Sequence, residues 1–255
     1  MAGMRINGAV ALVTGASSGL GRATAELLAA RGAKVLVHGR DAAALDTLAE
    51  RIGGVPLVAD FAVPGAAEEL AREAVKLGGR VDLLVANAGG GWAGPFDTMG
   101  HADIETLVTA NLTAPIRLTR ALLPAMVERR RGGLAYVTSI AGRTGVAGEA
   151  VYAATKAGLD GFAESLRLEL RGTGIGVGVL VPGVVNTRFF ERRGRPYGRS
   201  RPRPLDAGPV AAALVRVVES GDAEAYRPRW LRLPVAVRGA APGVYRRLAG
   251  RFGGS

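Results

Sequence analysis

A chain of 255 residues with 48% apolar composition is long enough to bury one large core, and a single α/β domain is natural at this size. It has no cysteine, which excludes disulfides, thiolate metal sites and a cysteine nucleophile, and which fits a reducing, cytoplasmic setting. The net charge of +11 is local: residues 186–255 hold 15 Arg against 5 acidic residues, whereas residues 1–185 are close to neutral.

No stretch approaches the ~18 apolar residues of a transmembrane helix, and the N-terminus lacks the apolar core of a signal peptide. The two histidines, His38 and His101, stand apart from acidic clusters, so no metal site is expected; each reads as a solvated or cofactor-rim residue.

In chain order, the apolar run 9–14 reads as a strand that stops at a glycine turn, followed by a helix over 19–31 with Leu20, Ala23, Leu27 and Leu28 on one face. Residues 34–38 make a second strand, and Asp41 caps a helix through Leu45, Leu48 and Ile52. A strand over 55–59, a helix over 65–77 and a strand over 81–86 come next. Residues 101–130 read as one long helix despite Pro115 and Pro124. A strand over 134–138, a helix over 152–171 and a strand over 176–181 complete the alternation, with room for a brief seventh strand at 225–228. Such alternation predicts a single doubly wound α/β domain, with a mostly parallel six- to seven-stranded sheet covered by helices on both faces. Ligands of such sheets bind beyond the carboxyl ends of the strands, where the motifs of this chain fall.

The first of these is Thr14–Gly21, between the first strand and the first helix. Gly15 permits a tight exit, and Gly19 and Gly21 let backbone N–H groups approach a pyrophosphate at a helix N-terminus, with Ser17, Ser18 and Leu20 completing the loop. At the end of the second strand an acid would hold a ribose 2′-hydroxyl. The sequence there is His38-Gly39-Arg40, which leaves room for a 2′-phosphate and offers a guanidinium to it. NADP(H) is therefore expected over NAD(H). Further on, Tyr152 and Lys156 stand four residues apart, on one helical face, with Ser139 at the end of a strand. An ammonium beside a phenol favours its ionised form, and a nearby hydroxyl can hold a substrate oxygen against it.

With the glycine loop, Asp60, Asn87-Ala88-Gly89, Asn111, Ser139, Tyr152-x-x-x-Lys156 and Pro182-Gly183-Val-Val185-Asn-Thr187 in order, the sequence resembles the short-chain dehydrogenase/reductase family over about residues 8–222. That resemblance implies a Rossmann domain over 1–228 and an NADP(H)-dependent enzyme interconverting a carbonyl and an alcohol. Tyr152 would be the acid/base, Lys156 would lower its pKa and hold the nicotinamide ribose, Ser139 would orient the carbonyl, and Asn111 would hold a water linking Lys156 to solvent. Asp60 and Phe61 would meet adenine, Asn87, Ala88 and Gly89 the adenosine-side ribose, and Pro182, Gly183, Val185 and Thr187 the nicotinamide end.

By the same resemblance residues 184–205 form a substrate lid, in which Phe189, Phe190 and Tyr197 cover an apolar substrate or seven Arg meet an anionic one. Trp92 is a candidate for the opposite wall. The implied partners are a small carbonyl or alcohol substrate and a second or further copies of the chain, as homodimer or homotetramer; no nucleic acid is expected. A cofactor-binding regulator on the same fold is the competing class. The chain departs from the family after residue 228, where aromatic, aliphatic and basic residues mix. This extension, 229–255, packs Trp230, Leu231 and Leu233 over the cleft or a partner subunit, or meets a membrane surface; Pro234, Gly239 and Pro242 argue against one long helix.

Overall fold

The computed structural model describes residues 3–195, 197–198 and 202–252; Arg199 and Arg201 of the Arg-rich segment lie outside them. All five residues of the first strand, Val10–Thr14 (β1), are buried. Successive side chains of a strand point to opposite faces, and β1 feeds two separate cores accordingly. Val10 and Leu12 join one, while Ala11 and Val13 join the other. A strand buried on both faces reads as a continuous apolar run, and it is paired in parallel on both edges.

The remaining strands are β2 (Lys34–Gly39), β3 (Val55–Val58), β4 (Leu83–Ala86), β5 (Gly132–Val137), β6 (Ile175–Pro182) and β7 (Glu224–Arg227). They form one parallel sheet in the order β3-β2-β1-β4-β5-β6-β7. Helices α1 (Gly19–Ala30), α2 (Ala42–Ile52) and α9 (Ala207–Ser220) supply one core. Helices α3 (Ala66–Gly78), α5 (Ala114–Glu128) and α7 (Ala150–Glu169) supply the other. The chain builds outward from β1 to β3 and then returns to β1's other edge as β4. That reversal leaves a crevice at the carboxyl ends of β1 and β4. The doubly wound architecture expected from the alternation is the one observed.

Several regions differ from expectation in detail, among them 207–220, where no element was expected and α9 forms. Residues 101–128 are continuous, but α4 (His101–Val108) and α5 are joined by a π turn over Thr109–Thr113, in which the Ala114 N–H reaches back to the Thr109 carbonyl. Pro115 has no N–H to give the Asn111 carbonyl one helical turn earlier, so the regular ladder cannot run through this point. A short helix, α6 (Ile140–Thr144), follows β5 where no element was expected, and Ser139 caps it by accepting from the Ala141 N–H at 3.2 Å. After β7 the chain makes a 3₁₀ turn (Arg229–Leu231) and two short helices, α10 (Arg232–Ala240) and α11 (Pro242–Phe252), broken ahead of Pro242. A four-residue helix, α8 (Phe189–Arg192), lies in the expected lid.

Helix α9 packs on β6 with Val217 set against Gly178. A Cβ on Gly178 would overlap the Val217 side chain. Gly178→Val therefore pushes α9 off β6 and is expected to cost about 1–3 kcal/mol by overpacking, read as a lower urea midpoint with unchanged slope.

Candidate functional site

The glycine loop leaves β1 with Gly15 at φ +69° and enters α1 with Gly19 at φ +56°, both left-handed conformations that favour glycine. A Cβ on Gly21 would fall inside the contact distance of the Gly15 carbonyl and the Asn87 amide. The loop thus keeps bare backbone against the crevice. Ser18, the N-cap of α1, gives no side-chain hydrogen bond to the first turn, so those N–H groups stay available to an anion. This cradle suits a pyrophosphate. The Asn87 side chain is engaged elsewhere: its Nδ2 donates to the Thr14 carbonyl at 2.9 Å. The Thr14 hydroxyl in turn accepts from the Asn87 and Ala88 N–H groups, each at 3.0 Å.

At the end of β2, Asp41 accepts from the Ala44 N–H at 3.1 Å and caps α2, as its position predicted. Arg40 stands exposed 3.6 Å from Asp60, a pairing worth little in water. His38 is buried rather than solvated. Its Nε2 lies 3.2 Å from the Ala59 carbonyl and its ring 4.7 Å from that of Phe61. Burial pushes His38 down to about 4, against the pull of the Ala59 carbonyl and Asp60.

The other half of the crevice is built by β5, α6 and α7. Lys156 and Tyr152 share the inward face of α7 and are buried, as is Ser139. Lys156 Nζ donates to the Val137 carbonyl at 2.9 Å, at the end of β5, and sits 5.8 Å from the centre of the Tyr152 ring. Burial raises Tyr152 to about 12, with the Ser139 hydroxyl pulling it back. Burial lowers Lys156 to about 8, with Asp160 pulling it back. Desolvation of the phenol sets the direction of the Tyr152 shift. Asn111, fully buried in the π turn, accepts from the Gly90 N–H at 2.8 Å and donates to the Gly90 carbonyl at 3.0 Å, with Thr155 as a third partner at 3.2 Å.

These parts surround one cleft of about 1450 Å³. A single small-molecule pocket is typically ~300–1,000 Å³, so there is space for two ligands side by side. Gly15, Ser17 through Gly21, Arg40, Asp60, Phe61, Asn87, Ala88, Gly89, Ser139, Tyr152, Lys156, Pro182, Gly183, Val185 and Thr187 all line it. Phe189 and Phe190 line it too, with the Phe189 ring 5.4 Å from Tyr152. Trp92 does not. It borders a smaller pocket with Pro95, Phe96 and Met99, behind Tyr152, because its indole packs on the apolar cluster of Leu107, Ala141 and Tyr152. In the tail, Trp230 and Leu231 reach the cleft as anticipated, whereas Leu233 points away and is 68% exposed.

The short chain dehydrogenase family model matches residues 9–197. The chain belongs to the short-chain dehydrogenase/reductase family. It is accordingly an NAD(P)-dependent oxidoreductase of the class that interconverts alcohols and carbonyls. An uncharacterized oxidoreductase of Myxococcus xanthus is 37% identical over 237 residues, covering 91% of this chain and 92% of that protein. The 3-oxoacyl-[acyl-carrier-protein] reductase of Escherichia coli is 38% identical over 186 residues, 72% of this chain and 76% of that one. Among solved structures, a short-chain dehydrogenase from Sphingobium yanoikuyae in complex with NADPH superposes with a TM-score of 0.82 at 29% identity, covering 92% of this chain and 96% of that chain.

Several site residues carried no recognisable signal in the sequence. Arg143 on α6 makes a bidentate pair with Asp160 on α7, at 2.7 and 2.9 Å, and reaches Glu224 of β7 at 3.2 Å. Glu149 pairs with Arg193 across the mouth of the cleft. Tyr245 of α11 lines the cleft and donates to the Thr144 carbonyl at 2.9 Å. The contacts span 17 to 101 residues of sequence, which no local pattern encodes. The buried His38 yields a pH prediction. The unfolded chain binds a proton at His38 below about 6.5 that the folded chain rejects down to about 4. Stability is therefore full above pH 6.5 and falls as pH drops toward 4, by on the order of 3 kcal/mol. Urea unfolding of His38→Asn across that range should lack this component.

Proposed function

We propose that the chain reduces a carbonyl to an alcohol, or runs the reverse reaction, with NADP(H), and that Tyr152 is its acid/base. The observation that carries this reading is the buried meeting of Tyr152, Ser139 and Lys156 at the end of β5, beside a backbone cradle suited to a pyrophosphate. In this reading the loop 15–21 holds the pyrophosphate, Asp60 and Phe61 the adenine, and Asn87 through Gly89 the wall beside the adenosine ribose. Lys156 holds the nicotinamide ribose, and Pro182, Gly183, Val185 and Thr187 hold the carboxamide end. The reduced nicotinamide supplies the hydride.

The protein's own groups handle the proton. With its pKa near 12, Tyr152 is protonated at neutral pH and able to donate to a carbonyl oxygen as charge builds there. The Ser139 hydroxyl holds the same oxygen and stabilises its developing charge. The Lys156 ammonium lowers the cost of the phenolate left behind. Asn111 fixes the Gly90 turn and would hold a water that returns the proton.

The choice of NADP(H) rests on the end of β2. Asp41 is engaged as a helix cap, so no acid there is available to a ribose 2′-hydroxyl, and Arg40 is left to meet a 2′-phosphate. Residues 1–228 form the cofactor and catalytic unit in this reading, and 229–255 an extension along one wall. The assembly it carries is a homodimer through the outer faces of α5 and α7, or a tetramer of such pairs.

The test is a panel of ketones, aldehydes, 3-oxoacyl thioesters and secondary alcohols offered with each cofactor. NADPH should exceed NADH in kcat/KM, and Arg40→Ala should reduce that ratio at least about tenfold, the loss of a charge-assisted phosphate contact. Equal efficiency with both cofactors contradicts the cofactor assignment. Tyr152→Phe should lower turnover by ~10²–10⁴-fold with NADPH binding retained; normal turnover by this variant contradicts the acid/base role. Tight NADPH binding without turnover on any substrate would instead place the chain among cofactor-binding regulators.

A further inference from the structure

Helices α10 and α11 have two unlike faces. Their inner face is fixed to the molecule: Leu231 is buried, Pro234 and Tyr245 line the cleft, Tyr245 bonds to the Thr144 carbonyl, and Arg238 donates to the Arg143 carbonyl. The outer face leaves apolar side chains exposed among the described residues. Leu233 is 68% exposed, Val244 50% and Leu248 45%, with Trp230 at 54% at the root of the segment. Leu233, Ala236 and Ala240 recur at helical spacing along the exposed side of α10, and Val244 and Leu248 do so along α11. Exposed large apolar residues are commonplace singly; a row of them on two consecutive helices marks an interaction surface.

The charge on this segment narrows what covers it. Residues 229–255 contain six Arg and neither Lys nor any acidic residue. Arg246 and Arg247 are exposed on α11 between Val244 and Leu248 in the chain, whereas Arg232 turns back onto the Glu224 carbonyl and the Tyr226 ring. Two copies of this face brought together about a two-fold axis would set like charge against like charge. Residues 1–228, with 27 Lys and Arg against 22 acidic residues, offer no acidic surplus for a head-to-tail contact. A nucleic acid would satisfy the arginines but leave Leu233, Val244 and Leu248 in water, since readout of phosphates uses no aliphatic side chains. A bilayer surface rich in anionic headgroups satisfies both: guanidinium groups at headgroup level, and Leu, Val and Trp side chains a few ångströms deeper. Among the described residues no helix is long and apolar enough to cross a membrane, so such contact would be interfacial.

We propose that the outer face of α10 and α11, together with Trp230, docks this enzyme on an anionic lipid surface. Docking would lay the wall of the cleft formed by Trp230, Pro234 and Tyr245 against the lipid boundary. The proposal stands apart from the catalytic assignment, because Leu233, Val244, Arg246, Arg247 and Leu248, on which its test rests, do not line the cleft of Tyr152.

Flotation of the full chain with phosphatidylcholine vesicles, with and without phosphatidylglycerol, tests it. The chain should float with the anionic vesicles only, and its partition coefficient should fall about tenfold or more as added salt shortens the Debye length from ~10 to ~3 Å. Leu233→Ser/Leu248→Ser should lose at least about tenfold in partitioning while circular dichroism and NADPH fluorescence enhancement stay unchanged. Arg246→Gln/Arg247→Gln should lose the preference for anionic over neutral vesicles. Absence of flotation with anionic vesicles at low salt overturns the proposal. So does equal binding by wild type and the Leu variant, which would make the face a general polyanion site. So does a shift from dimer to monomer in the Leu variant without vesicle binding, which would make the face a contact between copies.

Discussion

The Lys156 ammonium donating to the Val137 carbonyl is the interaction on which the rest of the site depends. Burying a charged ammonium carries a desolvation cost of several kcal/mol unless bonded partners offset it. Here the strand-end carbonyl does so directly, and Asp160, one turn further along α7, helps by its charge. The bond ties α7 to the carboxyl end of β5. Tyr152 rides on the first of these elements and Ser139 follows the second, so one hydrogen bond sets the phenol and the hydroxyl in register. A Lys that served only to cover surface would not be drawn into this position.

Around that bond the fold supplies rigidity from long-range contacts. The Arg143 fork on Asp160 binds α6 to α7, and its reach to Glu224 brings in β7, so the floor under Ser139 is braced from three elements. Arg238 and Tyr245 then fasten the C-terminal helices to the backbone of α6, one turn from Ser139. On the other side, the Thr14 hydroxyl and the Asn87 amide lock the ends of β1 and β4 together at the point where strand order reverses. The proposed cofactor half and catalytic half are thus two strand-end clusters on one sheet, held at a fixed distance by the β1, β4 and β5 ladders.

Much of this was legible because it is encoded in local, periodic signals. The β1 run, the Asp41 cap, the glycine turn and the Tyr152–Lys156 spacing each express a backbone rule within a few residues. The π turn at Asn111 was missed, yet a cue was present: Pro115 four residues later removes the donor that Asn111's carbonyl would need in a regular helix. Helix α9 has no clear local signal, because its Ala and Val residues fit a buried helix as readily as a strand. Trp92 was set on the main cleft because a Trp after three glycines can swing either way; the apolar cluster behind Tyr152 claims it. The Arg143, Glu149 and Tyr245 contacts join residues far apart in sequence and became visible only in three dimensions.

The account stands or falls on Lys156, and the most direct measurement is steady-state turnover of Lys156→Arg and Lys156→Met beside the wild type, with folding checked by circular dichroism. A guanidinium keeps the charge but cannot occupy the compact site of an ammonium bonded to Val137, and a Met keeps the length without the charge. Both variants should fold and lose ~10²–10⁴-fold in kcat, because the phenol loses its supporting cation or its register with Ser139. Turnover within a few-fold of wild type in either folded variant would contradict the claim that this buried ammonium organises the site.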